Sequence, residues 1–488
     1  MAKLITAIMI LFMVLPSVYA SEIQEMRTYN QKVFDGPQGT KQYRIHAKQI
    51  HYKDEDGKFQ DVDTTIRPVS GGWKQDKASF QSEFPTHADE LFKFNNRYEG
   101  ADHFVNMIPQ AAHVKGEVFN GKDGNYVLYP DAFGAGIDLN VYAYHGGLKE
   151  VIVIKEKPSP NTDLSFSFEI QMDSKLKVKE QNGEEWDKNS ELDFKKKTLV
   201  LEADGKASYF KQAVVWDSSP KKKIQPVDIS FSKHSGKLIL TKIVTAEFME
   251  NATFPVMTDH ATSYYSGAGE GTVSNNSGFV TWDSIHDATD ADTLVTGSIG
   301  GESSVAALSY LLYRGFGVFN TSGISDTDTV TSTVLNMVGF FKEDDLNDSV
   351  SYITIVGPTT QANQASLATA DYDQCASVDS PQELIDSGER KDITGIDVGG
   401  STYTQFTFNA TGISTISKTG NTLVGVREGH DATDTTAGIT TNKFSDAHFY
   451  SSEETGSSAD PFLDITTTSP SGSGVVGEGV TFLGIRLT

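Results

Sequence analysis

Between Tyr313 and Met337 the chain reads YRGFGVFNTSGISDTDTVTSTVLNM, a stretch whose apolar side chains recur at every second position. Successive side chains of a strand point to opposite faces, so this spacing predicts sheet and excludes an amphipathic helix. Arg314, Phe316 and Val318 would share one face, and Thr333, Leu335 and Met337 one face of a second run rich in Thr and Val, residue types that suit a pleated, half-buried surface. Ser322-Gly323 and Ser325-Asp326 supply the turn between them.

The same grammar runs through the rest of the chain. Tyr43–His46 and Gln49–Tyr52 precede Asp54-Glu55-Asp56-Gly57, with Lys58–Val62 returning, a hairpin pattern. Ile137–Tyr144 and Lys149–Ile154 flank His145-Gly146-Gly147, and the unbroken apolar run Val151–Ile154 predicts a strand covered on both faces. Leu164–Ile170, Thr198–Leu201 and Lys237–Leu240 continue the series, followed by Tyr352–Val356, Tyr403–Phe408 and Thr422–Arg427. Strands at spacings near ten residues predict an all-β chain of two major β-sandwich parts. Pro381–Ser387 predicts a single helical turn, since Asp379-Ser380 precedes a proline suited to a first helical position.

The chain has 488 residues and a formal charge of −24. About −21 of that lies from His260 onward and only about −3 before it. So acidic a surface repels nucleic acid and anionic membranes, which excludes a nucleic-acid partner, and it attracts cations. Met1–Ala20, with Lys3, an apolar run from Leu4 to Leu15, Pro16 and the Val18-Tyr19-Ala20 step, has the layout of an export signal. The expectation is a secreted or cell-surface protein starting near Ser21 and not embedded in a membrane, because the run is shorter than a span of about 20 residues. Residues 21–258 are expected to form an N-terminal β-sandwich region. The Ser263–Gly278 stretch, rich in Gly, Ser and Asn, reads as the linker to a second sandwich over 259–488. Cys375 is the single cysteine, so no internal disulfide forms, and a buried, inert thiol is expected.

No HExxH, GxSxG, phosphate-binding glycine loop or CxxC occurs. The expectation is a protein without catalytic activity and without a required cofactor. Hard cations take clustered oxygens, which makes three groups candidates for structural calcium: Asp287, Asp290 and Asp292; Glu343, Asp344, Asp345 and Asp348; Asp431 and Asp434. The string HDATD occurs at His286–Asp290 and again at His430–Asp434, two copies that read as similar turns. Sugar rings stack on exposed aromatic faces, and Tyr264, Tyr265, Trp282, Tyr372 and Tyr450 sit near expected loops. Aromatics in sandwiches are ordinarily core, which is the competing reading for all five.

The block Arg314-x-Phe316-x-Val318-Phe319-Asn320-Thr321-Ser322, Ile324 and Val330-Thr331-Ser332-Thr333-x-Leu335 resembles the DNRLRE-type domain. So do Val424-Gly425-Val426-Arg427, the Asp431–Asn442 loop, Phe449, Ser451-Ser452-Glu453 and Pro461–Ile465. The resemblance implies a jelly-roll-like β-sandwich of secreted bacterial and archaeal proteins, associated in some members with glycan. Asn320 stands where that family usually has Asp, and Gln361–Asp397 is a long insertion. Residues 51–63, 147–150 and 252–256 are similar to the region preceding such domains in wall-associated and Rhs-type secreted proteins. The resemblance implies extracellular display and no single activity; the expectation is a structural or adhesive β-protein, with an extracellular glycan-binding or glycan-processing protein, its partner cell-wall or extracellular glycan, as the alternative. A phage fibre or tail part is the further alternative, and an export signal argues against it. Nothing in the sequence specifies the oligomeric state.

Overall fold

The computed structural model describes residues 21–469 apart from 98–99, 122–123, 146, 181–184, 189, 195–198, 211–212, 220–222, 264–268, 276–277, 279–280, 296, 307–308, 362–363, 365–366, 401, 437 and 453–458. The expected export segment therefore lies outside the described residues. No helix among the described residues is long and apolar enough to cross a membrane. The chain is all-β, with antiparallel pairing throughout its named strands and only short helices between them.

The first half pairs a ten-stranded sheet with a nine-stranded one. The strands Ile137–Tyr144 and Gly147–Ile154 form the expected hairpin in register from Ile137↔Ile154 to Tyr144↔Gly147. Between the sheets, Leu139, Val141 and Ile152 from one and Phe94, Val105, Phe166 and Phe168 from the other are buried in one core. A buried ion pair crosses this core: Lys242 Nζ lies 2.7 Å from Glu150 Oε2.

The second half sets a nine-stranded sheet against a five-stranded one. The Ser309–Asn320 strand belongs to the larger sheet and the Thr329–Met337 strand to the smaller. The turn at Thr321–Asp328 is thus an arch between layers, the jelly-roll-like step. Phe319, Val424 and Phe449 from one sheet and Leu335, Phe406 and Leu463 from the other fill the space between them. On the other side of the large sheet, Val273, Leu312, Phe316, Trp282, Tyr372 and Cys375 form a second apolar group. Burial pushes the Cys375 thiol up to about 12, which leaves it protonated and inert.

Three sequence expectations are corrected here. The first is the boundary of the N-terminal region over 21–258. The strands Gln31–Asp35 and Thr40–His46 pair with each other, and the second pairs with Phe462–Thr468 in the five-stranded sheet. Val33, Tyr43 and Ile45 bury in the second core, because that sheet edge would otherwise expose an unpaired strand. At the other end, Val256–Ser263 pairs with Gly147–Ile154 and so runs past residue 258 into the first unit. The second concerns Ser263–Gly278, which is not all linker. Gly271–Asn275 is a fully buried strand against Leu312–Phe316. Third, the expected helical turn Pro381–Ser387 is not helical before Ser387, and bridges Val356↔Glu383 and Ile385↔Phe408 form there instead. Leu384 and Ile385 are both buried, which a solvent-facing helical turn would not allow, and the helical turn falls at Ser387–Glu389 instead.

Candidate functional site

Two features of the second unit bring chemically distinctive side chains together, one buried and one partly exposed. The first is built on Arg314 and Arg427, each on a strand of the large sheet and each buried. Both guanidiniums converge on Asp431. Arg314 Nη2 and Arg427 Nη2 donate to its Oδ1 at 2.7 and 2.6 Å. Burial alone would disfavour this carboxylate, but the two arginines outweigh it and hold Asp431 well below the ordinary range. The remaining donors pin backbone from distant segments. Arg314 Nη1 reaches Tyr372 O and its Nη2 reaches His286 O, at 3.1 and 2.9 Å. Arg427 Nη1 reaches Ser377 O and Val378 O at 2.9 and 3.1 Å. The Tyr372 ring also lies 4.5 Å from the Arg314 guanidinium, a cation–π contact.

This clamp brings the two HDATD copies together. His286 ends the Trp282–His286 helix, and Asp431 sits in the Gly429–Ala432 helix. His286 Nε2 is 3.2 Å from Asp431 O, and Trp282 Nε1 donates to Asp434 Oδ1 at 2.7 Å. Spacing within the chain carries no sign of this meeting, since 145 residues separate His286 from Asp431.

The second feature is a shelf of half-buried rings: Tyr313, Phe340, Phe341, His448 and Tyr450. Phe340 packs on Tyr450 at 4.9 Å between centroids, Tyr313 meets the His448 edge at 5.6 Å, and Phe341 lies 6.2 Å from His448. Consecutive strand residues normally face opposite ways. Here a register shift between Gly339 and Phe341 opposite Phe449-His448 is a bulge that turns both phenylalanines toward the histidine. Gly300 sits opposite His448 in the sheet. A Cβ there would lie 2.2 Å from His448 Nδ1, so only glycine lets the ring lie down on the strand. Behind the shelf, His448 Nε2 is 2.9 Å from Asp446 Oδ1, and Glu302 shares the same buried group.

Against these sites the sequence candidates divide. Trp282 and Tyr372 are buried, one bonded to Asp434 and the other donating its hydroxyl to Ile285 O at 3.0 Å. Neither presents a face to a sugar, because both fill the apolar layer under the helices. Tyr450 is half-buried and belongs to the shelf. Tyr264 and Tyr265 lie outside the described residues. The carboxylates of the three clusters are held in different ways. Asp431 is consumed by the arginines. Asp344 Oδ1 accepts from Asn347 N, and Asp348 Oδ1 accepts from Val350 N and Ser351 N, so both cap turns. Asp345 and Asp290 are exposed, and Asp292 is half-buried. Asp287 and Asp434, from different clusters, instead meet on either side of His286. The residues of these two features that sequence reasoning did not single out are His286, Phe340, Phe341 and His448. The duplicated HDATD string was the available signal for the first.

No known protein-family profile matches the chain, and no curated protein matches it. Among solved structures, one similar chain is the N-terminal domain of the Streptococcus gordonii adhesin Sgo0707. It is 8% identical, with 92% of this chain and 95% of that chain covered and a TM-score of 0.13.

Proposed function

We propose that this is a non-catalytic adhesive β-protein displayed outside the cell, which holds extracellular or cell-wall glycan on the Tyr313–Phe340–Phe341–His448–Tyr450 shelf. The observation that carries the reading is the shelf itself. Five partly exposed rings adjoin on one sheet, two of them turned there by a bulge, and aromatic faces with polar neighbours are what a sugar ring stacks on. The export-signal layout of Met1–Ala20 and the resemblance of the second half to secreted DNRLRE-type domains support the extracellular setting.

The test is binding of the mature chain to a glycan array and to insoluble cell-wall polysaccharide, repeated with Phe340→Ala and Tyr450→Ala. Both rings are partly exposed, so the variants keep the fold, as matching melting curves would verify. Each is expected to weaken binding about tenfold, the scale of one lost aromatic contact. A wild-type chain that captures no glycan, or variants that bind as well as it does, would overturn the reading.

A further inference from the structure

We propose that His286, Asp287 and Asp379, with Asp434 beside them, form a binding site for one divalent transition-metal ion of the zinc class. The site is independent of the aromatic shelf. One ligand atom from each of His286, Asp287 and Asp379 lies within 4.8 Å of the other two. His286 Nδ1 is 2.9 Å from Asp287 Oδ1 and 3.7 Å from Asp434 Oδ1. Two ligands bound at about 2.1 Å to one tetrahedral ion stand about 3.4 Å apart, and the two nitrogen–oxygen separations, 2.9 and 3.7 Å, lie on either side of that length.

The imidazole is presented for this role. Its side chain is 1% exposed, while Asp287 and Asp434 are 60% and 46% exposed, which gives a buried nitrogen opening onto solvent-facing oxygens. On the far side of the ring, Nε2 is 3.2 Å from the carbonyl of Asp431. Arg427 Nη2, at 3.4 Å from Nε2, is at the long end of hydrogen bonding. A ring that gives its Nε2–H to a backbone carbonyl keeps the Nδ1 lone pair for a metal, and metal-bound histidines are oriented in this way. That lone pair then faces carboxylate oxygen at hydrogen-bond distance. In the free chain a hydrogen bond between Nδ1 and Asp287 Oδ1 holds this contact, and a bound ion would take the place of its hydrogen.

The surrounding segments are held in place before any ion arrives. Arg314 fixes the carbonyl of His286, Arg427 fixes the carbonyls of Ser377 and Val378 next to Asp379, and both fix Asp431, three residues before Asp434. Both HDATD copies contribute, His286 and Asp287 from one and Asp434 from the other. The mixed nitrogen and carboxylate donor set suits zinc or manganese better than calcium, which takes six to eight oxygens. The proposal thus assigns Asp287 and Asp434 a different class of ion from the calcium expected of them.

The experiment is titration of the metal-free full mature chain with Zn²⁺ by calorimetry, with Co²⁺ absorption reporting ligand geometry. One ion per chain is expected, with an imidazole-containing Co²⁺ spectrum. Asp287→Asn and Asp379→Asn, which alter exposed side chains, should each weaken Zn²⁺ binding at least about tenfold. His448→Ala, at the other His-carboxylate group, should leave it unchanged. His286→Ala should abolish it, and the two asparagine variants keep the test decisive where the alanine variant fails to fold. No Zn²⁺ binding by the wild type, equal binding by Asp287→Asn and Asp379→Asn, loss in His448→Ala alone, or binding of Ca²⁺ in preference to Zn²⁺ would each overturn the proposal. Glycan capture by a chain that binds no Zn²⁺ would separate this failure from failure of the shelf.

Discussion

Arg44 and Asp464 stand 420 residues apart in the chain and face each other across neighbouring strands, Nε to Oδ1 at 3.0 Å and Nη2 to Oδ2 at 3.2 Å. A paired fork of this kind fixes register as well as contact. Lys48 and Asp460 make a second, buried pair at 2.8 Å where the strand leaves the sheet. The segment before residue 47 therefore belongs energetically to the far end of the chain.

A fragment comprising residues 259–469 should consequently be insoluble or molten, although it contains every described strand of the second half's two sheets apart from Gln31–Asp35 and Thr40–His46. Without Thr40–His46, the Phe462–Thr468 strand becomes an open edge, and Val33, Tyr43 and Ile45 leave a gap in the core. Attaching residues 21–50 after residue 469 through a flexible linker should restore a cooperative melt. Size-exclusion chromatography and thermal melting check this, and a compact, cooperatively melting fragment without the hairpin would refute it.

Asp431→Asn should destabilise the chain by about 3–5 kcal/mol, because it leaves two guanidiniums buried without their carboxylate. Asp431 is held below its ordinary pKa. Its contribution is thus full above the ordinary carboxylate range near pH 4 and falls away as pH drops further. Urea melts at pH 7 and at pH 3 check both statements: the gap between wild type and variant should narrow at the lower pH. A variant within about 1 kcal/mol of wild type at pH 7 would show that the clamp is structurally dispensable.

How much of this was legible can be read from particular residues. The two-residue alternation placed Phe316, Val318, Leu335 and Met337 on buried faces, and they are buried, because side-chain period is a local property of a strand. The HDATD strings were visible but their meeting was not, since it depends on which strands pair. The same limit hid the hairpin partner of Phe462–Thr468. Phe340 and Phe341 share a side only through a bulge, and nothing in Gly339-Phe340-Phe341 marks one. Trp282 and Tyr450 are both aromatics near loops, and only the depth of the helix under Trp282 tells them apart.

Gly300→Ala should disable the shelf while sparing the fold. The added Cβ would collide with His448 Nδ1, and the ring is the movable partner because it is half-buried. Its displacement removes the centre of the ring cluster. Overpacking of this kind costs about 1–3 kcal/mol, so melting should shift modestly while glycan capture falls by as much as in Phe340→Ala. Unchanged capture by Gly300→Ala would mean that His448 plays no part in the surface.

The last expectation concerns acid. His46 retains some surface, but its Nδ1 is shielded from solvent, and its ring packs 5.4 Å from that of Phe462. Burial, with the charges of Arg44, Lys48 and Lys32, pushes its pKa down to about 3. His51, His103 and His145 are also lowered, each chiefly by burial. A lowered histidine stays neutral in the folded chain while the unfolded chain takes up its proton from pH 6.5 downward. Its contribution is therefore complete above pH 6.5 and is lost as pH falls toward the folded value, at up to about 1.4 kcal/mol per pH unit for each such histidine. Stability should decline steadily between pH 6.5 and 4, before the carboxylates protonate. His46→Gln removes one of these protons from the balance, so its melting temperature should fall less steeply over that window, with the other three histidines supplying the slope that remains. Parallel curves for wild type and His46→Gln across pH 7 to 4 would show that His46 is protonated equally in both states, and the packing of its ring against Phe462 would then carry no electrostatic cost.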